Sequence, residues 1–123
     1  MNNPSLSFNQ AKKFLGQVVN VVVDRPIGSK HPKWNFEYTA NYGFIEGIVA
    51  PDGEELDAYV LGIDGPVEKY TGKVFAIVHR LEDDDDKLVV LPEDKTMNTE
   101  EIEKAIEFQE KWFKHEIIYA TIA

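Results

Sequence analysis

The sequence predicts an α+β fold in which about five or six strands form a small curled sheet or barrel with a helix packed outside it. Three observations carry this. Short runs rich in β-branched and aromatic residues recur through the middle of the chain, each ended by glycine, proline or acidic turn residues. Helical spacing of apolar residues is confined to the two ends. No internal repeat or break in composition divides residues 1–123, so a single domain is expected.

Ser7 and Gln10 read as a capping box for a short first helix, with Phe8, Ala11 and Leu15 on one face and Gly16 ending it. Val18-Val19-Asn20-Val21-Val22-Val23 follows as a strand ending near Asp24, before the turn residues Arg25-Pro26-Ile27-Gly28-Ser29. Lys33 to Tyr38 alternates and Tyr42 to Ala50 is aromatic and β-branched. Pro51-Asp52-Gly53 then turns the chain into Leu56 to Leu61, which together suggests an antiparallel meander. Lys73 to His79 and Lys87 to Leu91 add two strands joined by the acidic loop Glu82 to Asp86. Asn98 with Glu101 caps a long helix whose stripe is Ile102, Ala105, Ile106, Trp112 and Phe113, and this stripe should cover one side of the sheet. Ile117 to Ile122 reads as a short final strand or an extended tail.

Composition narrows the function classes. Twenty-two acidic residues against thirteen basic ones give a net charge of −9, which repels phosphate backbones and argues against general nucleic-acid binding. The chain has no cysteine, which rules out disulfides, thiolate catalysis and sulfur-ligated zinc. The start, Met1 to Ser7, lacks the basic and apolar regions of a signal peptide, and no apolar run is long enough to span a bilayer. A soluble cytoplasmic protein with no membrane partner is the expectation.

Chemistry concentrates in two acidic turns. Asp52-Gly53-Glu54-Glu55-Leu56-Asp57 crowds four carboxylates before an apolar strand, and Glu82-Asp83-Asp84-Asp85-Asp86 precedes another. Hard oxygen donors in such numbers suit Mg²⁺ or a similar ion, especially Asp57, which a strand would partly bury. Turns at the same end of the sheet would make the clusters face each other. Their repulsion would then call for a divalent cation, and the joined cations would attract an anion. Solvated loops, or a strand carboxylate accepting from turn backbone, are the alternative readings.

The order Asn41-Tyr42-Gly43-Phe44-Ile45, then Asp52-Gly53-Glu54-Glu55-Leu56-Asp57, then Asp85-Asp86-Lys87-Leu88-Val89 resembles the soluble, metal-dependent inorganic pyrophosphatases. Val21 to Pro26 looks like that family's first strand, with Asp24 where a Glu is usual, and the likeness runs from about residue 18 to about residue 114. It implies a small five-stranded antiparallel β-barrel, OB-like, with flanking helices. The implied reaction is hydrolysis of pyrophosphate to two phosphates by water activated between divalent metals, normally Mg²⁺ with Mn²⁺ as an alternative. Asp52, Glu54 and Asp57 fall on the three carboxylates of the family's central motif, with Glu54 replacing an Asp at the position tied to the nucleophilic water. Glu55 stands where proline is usual. Asp85 matches the acid two residues before the family's lysine, and its partner acid is Glu82 or Asp83. Phosphate contacts carry over to Lys33, Tyr42, Lys87 and Lys114, with Lys33 and Tyr42 beside Glu54 in the catalytic set. A homo-oligomer is also implied.

The chain departs from the pattern where phosphate is held. The segment Trp34 to Asn41 is short and lacks the family's arginine, Asn35 replaces a Glu, and Phe113 replaces a Tyr. Arg25 and Arg80 are the only arginines, neither aligning with the lost one, though Arg80 could approach the acidic loop from its strand. His31, His79 and His115 are too scattered for a ligand set and suit structural or surface roles. Two main readings follow: a compact Mg²⁺-dependent pyrophosphatase, with pyrophosphate or a related phosphoanhydride as substrate, or a binding module that keeps the barrel without hydrolysis. An acidic-surfaced structural domain without a ligand ranks last.

Overall fold

The structure is a computed structural model that describes residues 6–49, 53, 55–83 and 85–119. In chain order its elements are α1 (Leu6–Lys12), β1 (Val18–Arg25), β2 (Asn41–Val49), β3 (Glu55–Val60), β4 (Lys69–Arg80), β5 (Lys87–Leu91), α2 (Thr99–Glu110) and β6 (His115–Tyr119). Five strands close a barrel in the order β1-β2-β3-β5-β4, with β4 returning to pair with β1. The long β4 makes closure possible. Its first half, Lys69 to Lys73, pairs with β1, while its second half, Ala76 to Arg80, pairs with β6 on the outside. Every pair is antiparallel except β3–β5, where Ala58, Tyr59 and Val60 run parallel to Leu88, Val89 and Val90.

Alternation along the strands sorts side chains into two cores. Val21, Val23, Ile45, Leu56, Ala58, Val60, Val74, Ile77, Leu88 and Val90 fill the barrel. On the opposite face, Tyr59, Leu61, Val78, Val89 and Leu91 meet Ile102 and Ile106 of α2. All five residues of β5 are buried because both of its faces are covered, one by the barrel interior and one by the helix side. Lys87 therefore shares the outer face with Val89 and Leu91.

Glycine at two positions is dictated by geometry. Gly16 follows α1 with φ of 83°, a left-handed residue that turns the chain toward β1 and donates to Val74 O. At Gly43 in β2, an added Cβ would lie 1.9 Å from the Val22 carbonyl oxygen, so β1 and β2 approach too closely there for any side chain.

Several expectations need correction. Ser7 lies within α1 and is not its cap; its hydroxyl accepts from the Asp86 amide. Lys33 to Tyr38 is not a strand of the sheet. The His31 Nδ1 accepts from the amides of Lys33 and Trp34, and Asn35 has φ of 60°, which curls the segment into a turn. Only a single bridge, Lys30 to Glu37, is strand-like. The Asn98–Glu101 capping box forms as expected, but α2 ends at Glu110, so Trp112 and Phe113 leave the helical stripe. Among the described residues no helix is long and apolar enough to cross a membrane.

β6 is tied to α2 by His115. Its Nε2 donates to Glu103 Oε1 at 2.7 Å and its Nδ1 to Phe113 O at 2.8 Å, so both nitrogens carry a proton in this arrangement. Burial alone would lower its pKa, but these acceptors and the nearby Glu103 and Glu110 charges raise it on balance.

Two measurements test this architecture. Gly43→Ala is expected to lower unfolding free energy by at least ~2 kcal/mol in urea denaturation, because backbone has to give way. Folding raises the His115 pKa, so its stabilisation is complete below the unfolded value of 6.5 and is lost as pH rises through the folded value. With Glu103 half exposed, His115→Gln should cost about 0.5–1 kcal/mol in acidic buffer and less in alkaline buffer.

Candidate active site

Because β3 and β5 are adjacent and parallel, both begin at the same end of the barrel, which brings Asp57 of β3 close to Asp85 and Lys87 at the start of β5. Asp57 lies on the same outer face of β3 as Tyr59, and β2 presents Tyr42 beside it across the Tyr42–Tyr59 register pair. Lys87, at the first position of β5, completes the group. Its Nζ lies 3.1 Å from Asp85 Oδ2 and 3.4 Å from Asp57 Oδ2, and Tyr42 donates to Asp57 Oδ2 at 2.7 Å. Tyr42, Asp57, Asp85 and Lys87, placed together from the sequence, are together in space.

Electrostatics fix the roles of these groups. The Lys87 side chain is only 3% exposed, so its ammonium is held by two carboxylates in place of water. Burial raises the Asp57 pKa; Lys87 and the Tyr42 hydroxyl oppose that rise while the Asp85 charge adds to it. The Tyr42 phenol is pushed well above its ordinary value by burial and by the Asp57 charge, so it stays a hydrogen-bond donor.

These groups line an open cleft of about 740 Å³. Asp24 and Arg25 at the end of β1 and the buried Arg80 at the end of β4 bring further charge. The lining also holds an aromatic cluster in which His31 neighbours Trp34 and Phe36, and Phe36 neighbours Trp112, while Phe113 lies on Arg80. His31 has its pKa lowered by burial and by the Arg25 and Lys33 charges. Its Nδ1 is an acceptor, so the neutral ring carries its proton on Nε2.

Below the cleft, Arg80 Nε donates to Glu110 Oε1 at 2.7 Å and Nη1 to Asp83 Oδ2 at 3.0 Å, while the Phe113 ring lies over the guanidinium. Arg80 thus reaches the acidic loop, as its strand position suggested. Asp86 is equally committed, accepting from Arg80 N and from His79 Nδ1. Of this loop Asp85 lines the cleft, whereas Asp83 is engaged by Arg80 and Glu82 is exposed. Lys33 and Lys114 are exposed and outside the lining, with Lys33 Nζ 5.0 Å from the Trp34 ring centre. Asp52 and Glu54 lie outside the described residues. Sequence reasoning did not place Arg25, His31, Trp34 or Trp112 at the site; the Asp-Arg-Pro turn that ends β1 was the available signal for Arg25.

The donor chemistry fits a divalent cation. Asp57 and Asp85 share one lysine, their mutual charge raises the Asp57 pKa, and both offer hard oxygens to the cleft. Among the described residues no three acidic or histidine side chains gather closely enough to hold a metal alone. Asp52 and Glu54 precede β3 and Asp57 in the sequence.

Comparison with known proteins gives consistent results. The family model described as inorganic pyrophosphatase matches residues 12–119. Among solved structures, the inorganic pyrophosphatase of Ehrlichia chaffeensis superposes with a TM-score of 0.67 at 16% identity, covering 86% of this chain and 88% of that one. That of Helicobacter pylori gives 0.62 at 18% identity over 83% and 84%. That of Neisseria gonorrhoeae gives 0.59 at 24% identity over 79% and 78%. These likenesses show the barrel fold. A search among curated protein sequences found no significant match.

The Tyr42–Asp57 contact can be measured. A double-mutant cycle of Tyr42→Phe with Asp57→Asn is expected to return a coupling of ~1–2 kcal/mol, as for a partly buried hydrogen bond to a charged acceptor. A coupling near zero would show that the hydroxyl does not hold the carboxylate.

Proposed function

The chain belongs to the inorganic pyrophosphatase family, and from that premise we propose that it hydrolyses a phosphoanhydride, pyrophosphate being the reference substrate, with Mg²⁺ or Mn²⁺ as cofactor. The observation that carries the proposal is the convergence of Asp57 and Asp85 on buried Lys87 with Tyr42 donating to Asp57. Asp52, Glu54, Asp57 and Asp85 are the proposed metal ligands. Glu82 remains a candidate fifth ligand because Asp83 is held by Arg80. Bound there, the cations supply charge neutralisation of the phosphates and a lowered pKa for the attacking water.

Hydrolysis forms a bond from a water oxygen to one phosphorus and breaks that phosphorus's bond to the bridging oxygen, which leaves with the electron pair on the second phosphate. Glu54 is proposed to accept the water proton, its longer side chain moving the oxygens relative to an aspartate. Tyr42 keeps Asp57 oriented, and Lys87 places a fixed positive charge beside the Asp57 carboxylate. Arg25, which lines the cleft, is proposed as a phosphate contact in a chain that lacks the family arginine. Lys33 and Lys114 enter the proposal as long rim side chains. The three carboxylates and three basic side chains among the described lining balance one another, so an anion gains little there until a cation tips the balance.

Residence in the cytoplasm, action as one domain and assembly as a homo-oligomer are parts of the same proposal. The net charge of −9 speaks against a nucleic-acid partner. The second reading, a binding module without hydrolysis, is favoured by one observation: Phe113 packs on Arg80 and offers no hydroxyl to the cleft.

Phosphate release from pyrophosphate, followed with Mg²⁺ and with Mn²⁺, distinguishes the readings. Turnover that falls at least ~100-fold in Asp57→Asn is the expected result. A cation-dependent rise in thermal midpoint without turnover would select the binding module, and neither effect would end both readings.

A further inference from the structure

The cleft is larger than its proposed reference substrate requires, and half of its wall has the wrong chemistry for phosphate. A volume of about 740 Å³ is that of a pocket for a drug-sized ligand, far beyond a bare diphosphate. Its two exposed tryptophans are Trp34, 67% exposed, and Trp112, 58% exposed. Phe36 stands next to Trp112, with ring centres 5.5 Å apart, and His31 lies 4.9 Å from Phe36. These rings come from the turn after β1 and the turn after α2, two segments far apart in the chain that flank one opening. Large aromatic surface left in water beside a charged site is costly unless something flat covers it.

We propose that this aromatic cluster is a base-binding subsite and that the substrate is a nucleoside diphosphate. Its diphosphate sits against Lys87 and Arg25, and its base stacks among Trp34, Phe36 and Trp112. The inference rests on the phosphoanhydride hydrolysis proposed above and names the compound class it acts on. The arrangement matches both halves of such a molecule: basic groups and cation-binding carboxylates for the diphosphate, and π-faces that stack on any base. His31, whose Nδ1 accepts from backbone, adds an Nε2 donor to the aromatic cluster. The short turn Trp34 to Asn41 has no arginine and brings the rings of Trp34, Phe36 and Tyr38 to the lining. In the reaction, a water oxygen bonds to the terminal phosphorus and the bond from that phosphorus to the bridging oxygen breaks. The nucleoside monophosphate leaves with the electron pair, and the proton of water leaves as in the pyrophosphate hydrolysis proposed above.

Trp34 and Trp112 are the only tryptophans of the chain, so its intrinsic fluorescence reports on this subsite. ADP added in the presence of Mg²⁺ should quench that emission, pyrophosphate should not, and phosphate should be released from ADP. The ratio of kcat/KM for ADP to that for pyrophosphate should fall about tenfold in Trp112→Ala and in Trp34→Ala, and recover in the corresponding Phe variants. Both side chains are exposed, so neither replacement threatens the fold. Turnover of pyrophosphate with no quenching or cleavage of ADP would overturn the inference while leaving the proposed function intact. Failure of the protein to cleave either compound would overturn both. Blue-shifted emission in an associated form that ADP does not perturb would assign the tryptophans to a contact between copies and would also overturn it.

Discussion

The buried ion pair of Arg80 and Glu110 is the constraint on which the arrangement around the cleft depends. Arg80 is the last residue of β4 and Glu110 the last of α2, the former 4% exposed and the latter fully buried. Burying two such groups at that depth is tolerated only because each is paired and fully hydrogen-bonded. Glu110 accepts from Nε and Nη2 of Arg80 and from the Tyr59 hydroxyl, while Arg80 also meets Asp83 and the Phe113 ring. One network thus fixes β4, the acidic loop, the outer face of β3 and the end of the helix. The Tyr59 phenol, buried and beside the Glu110 charge, is held far above its usual pKa and serves as a permanent donor.

The consequence for chemistry lies in which acids are left over. Asp83 and Asp86 of the acidic loop are consumed in shaping it, by Arg80 on one side and by His79 and backbone on the other. Asp85 is released toward the cleft, where it shares Lys87 with Asp57. A run of like charges in the sequence thus divides into scaffold and site, and the division follows the partners available on neighbouring strands rather than spacing along the chain. Burial of Lys87 keeps its charge aimed at one place, whereas a lysine in water would sample many rotamers.

How far the sequence discloses all this varies by element. The strands of the barrel and the capped helix follow from local pattern because β-branched runs and Asn98–Glu101 capping need no distant partner. Tyr42, Asp57, Asp85 and Lys87 were legible because their order survives in a known family pattern. The parallel pairing of β3 with β5 was not legible, since alternation says which face a residue takes and nothing of which strand lies beside it. Lys33 to Tyr38 alternates like a strand yet curls, because a ring nitrogen of His31 competes successfully for two backbone amides. Trp112 and Phe113 have helical spacing, but the chain leaves the helix at Glu110, where Phe113 N turns back to Glu110 O. The histidines fulfil their structural expectation in two cases, His79 with Asp86 and His115 with Glu103, while His31 also faces the cleft.

Closing the barrel has an effect on colloidal behaviour. Each of β1 to β5 has neighbours on both sides, so among the described strands only β6, paired with β4 alone, keeps an open edge. Unpaired strand edges are where other chains add on and aggregates begin. This one is five residues long and carries exposed Glu116 beside His115. The isoleucines that follow, Ile117 and Ile118, have the composition of a sticky segment, and Glu116 together with the strongly negative chain acts as their gatekeeper.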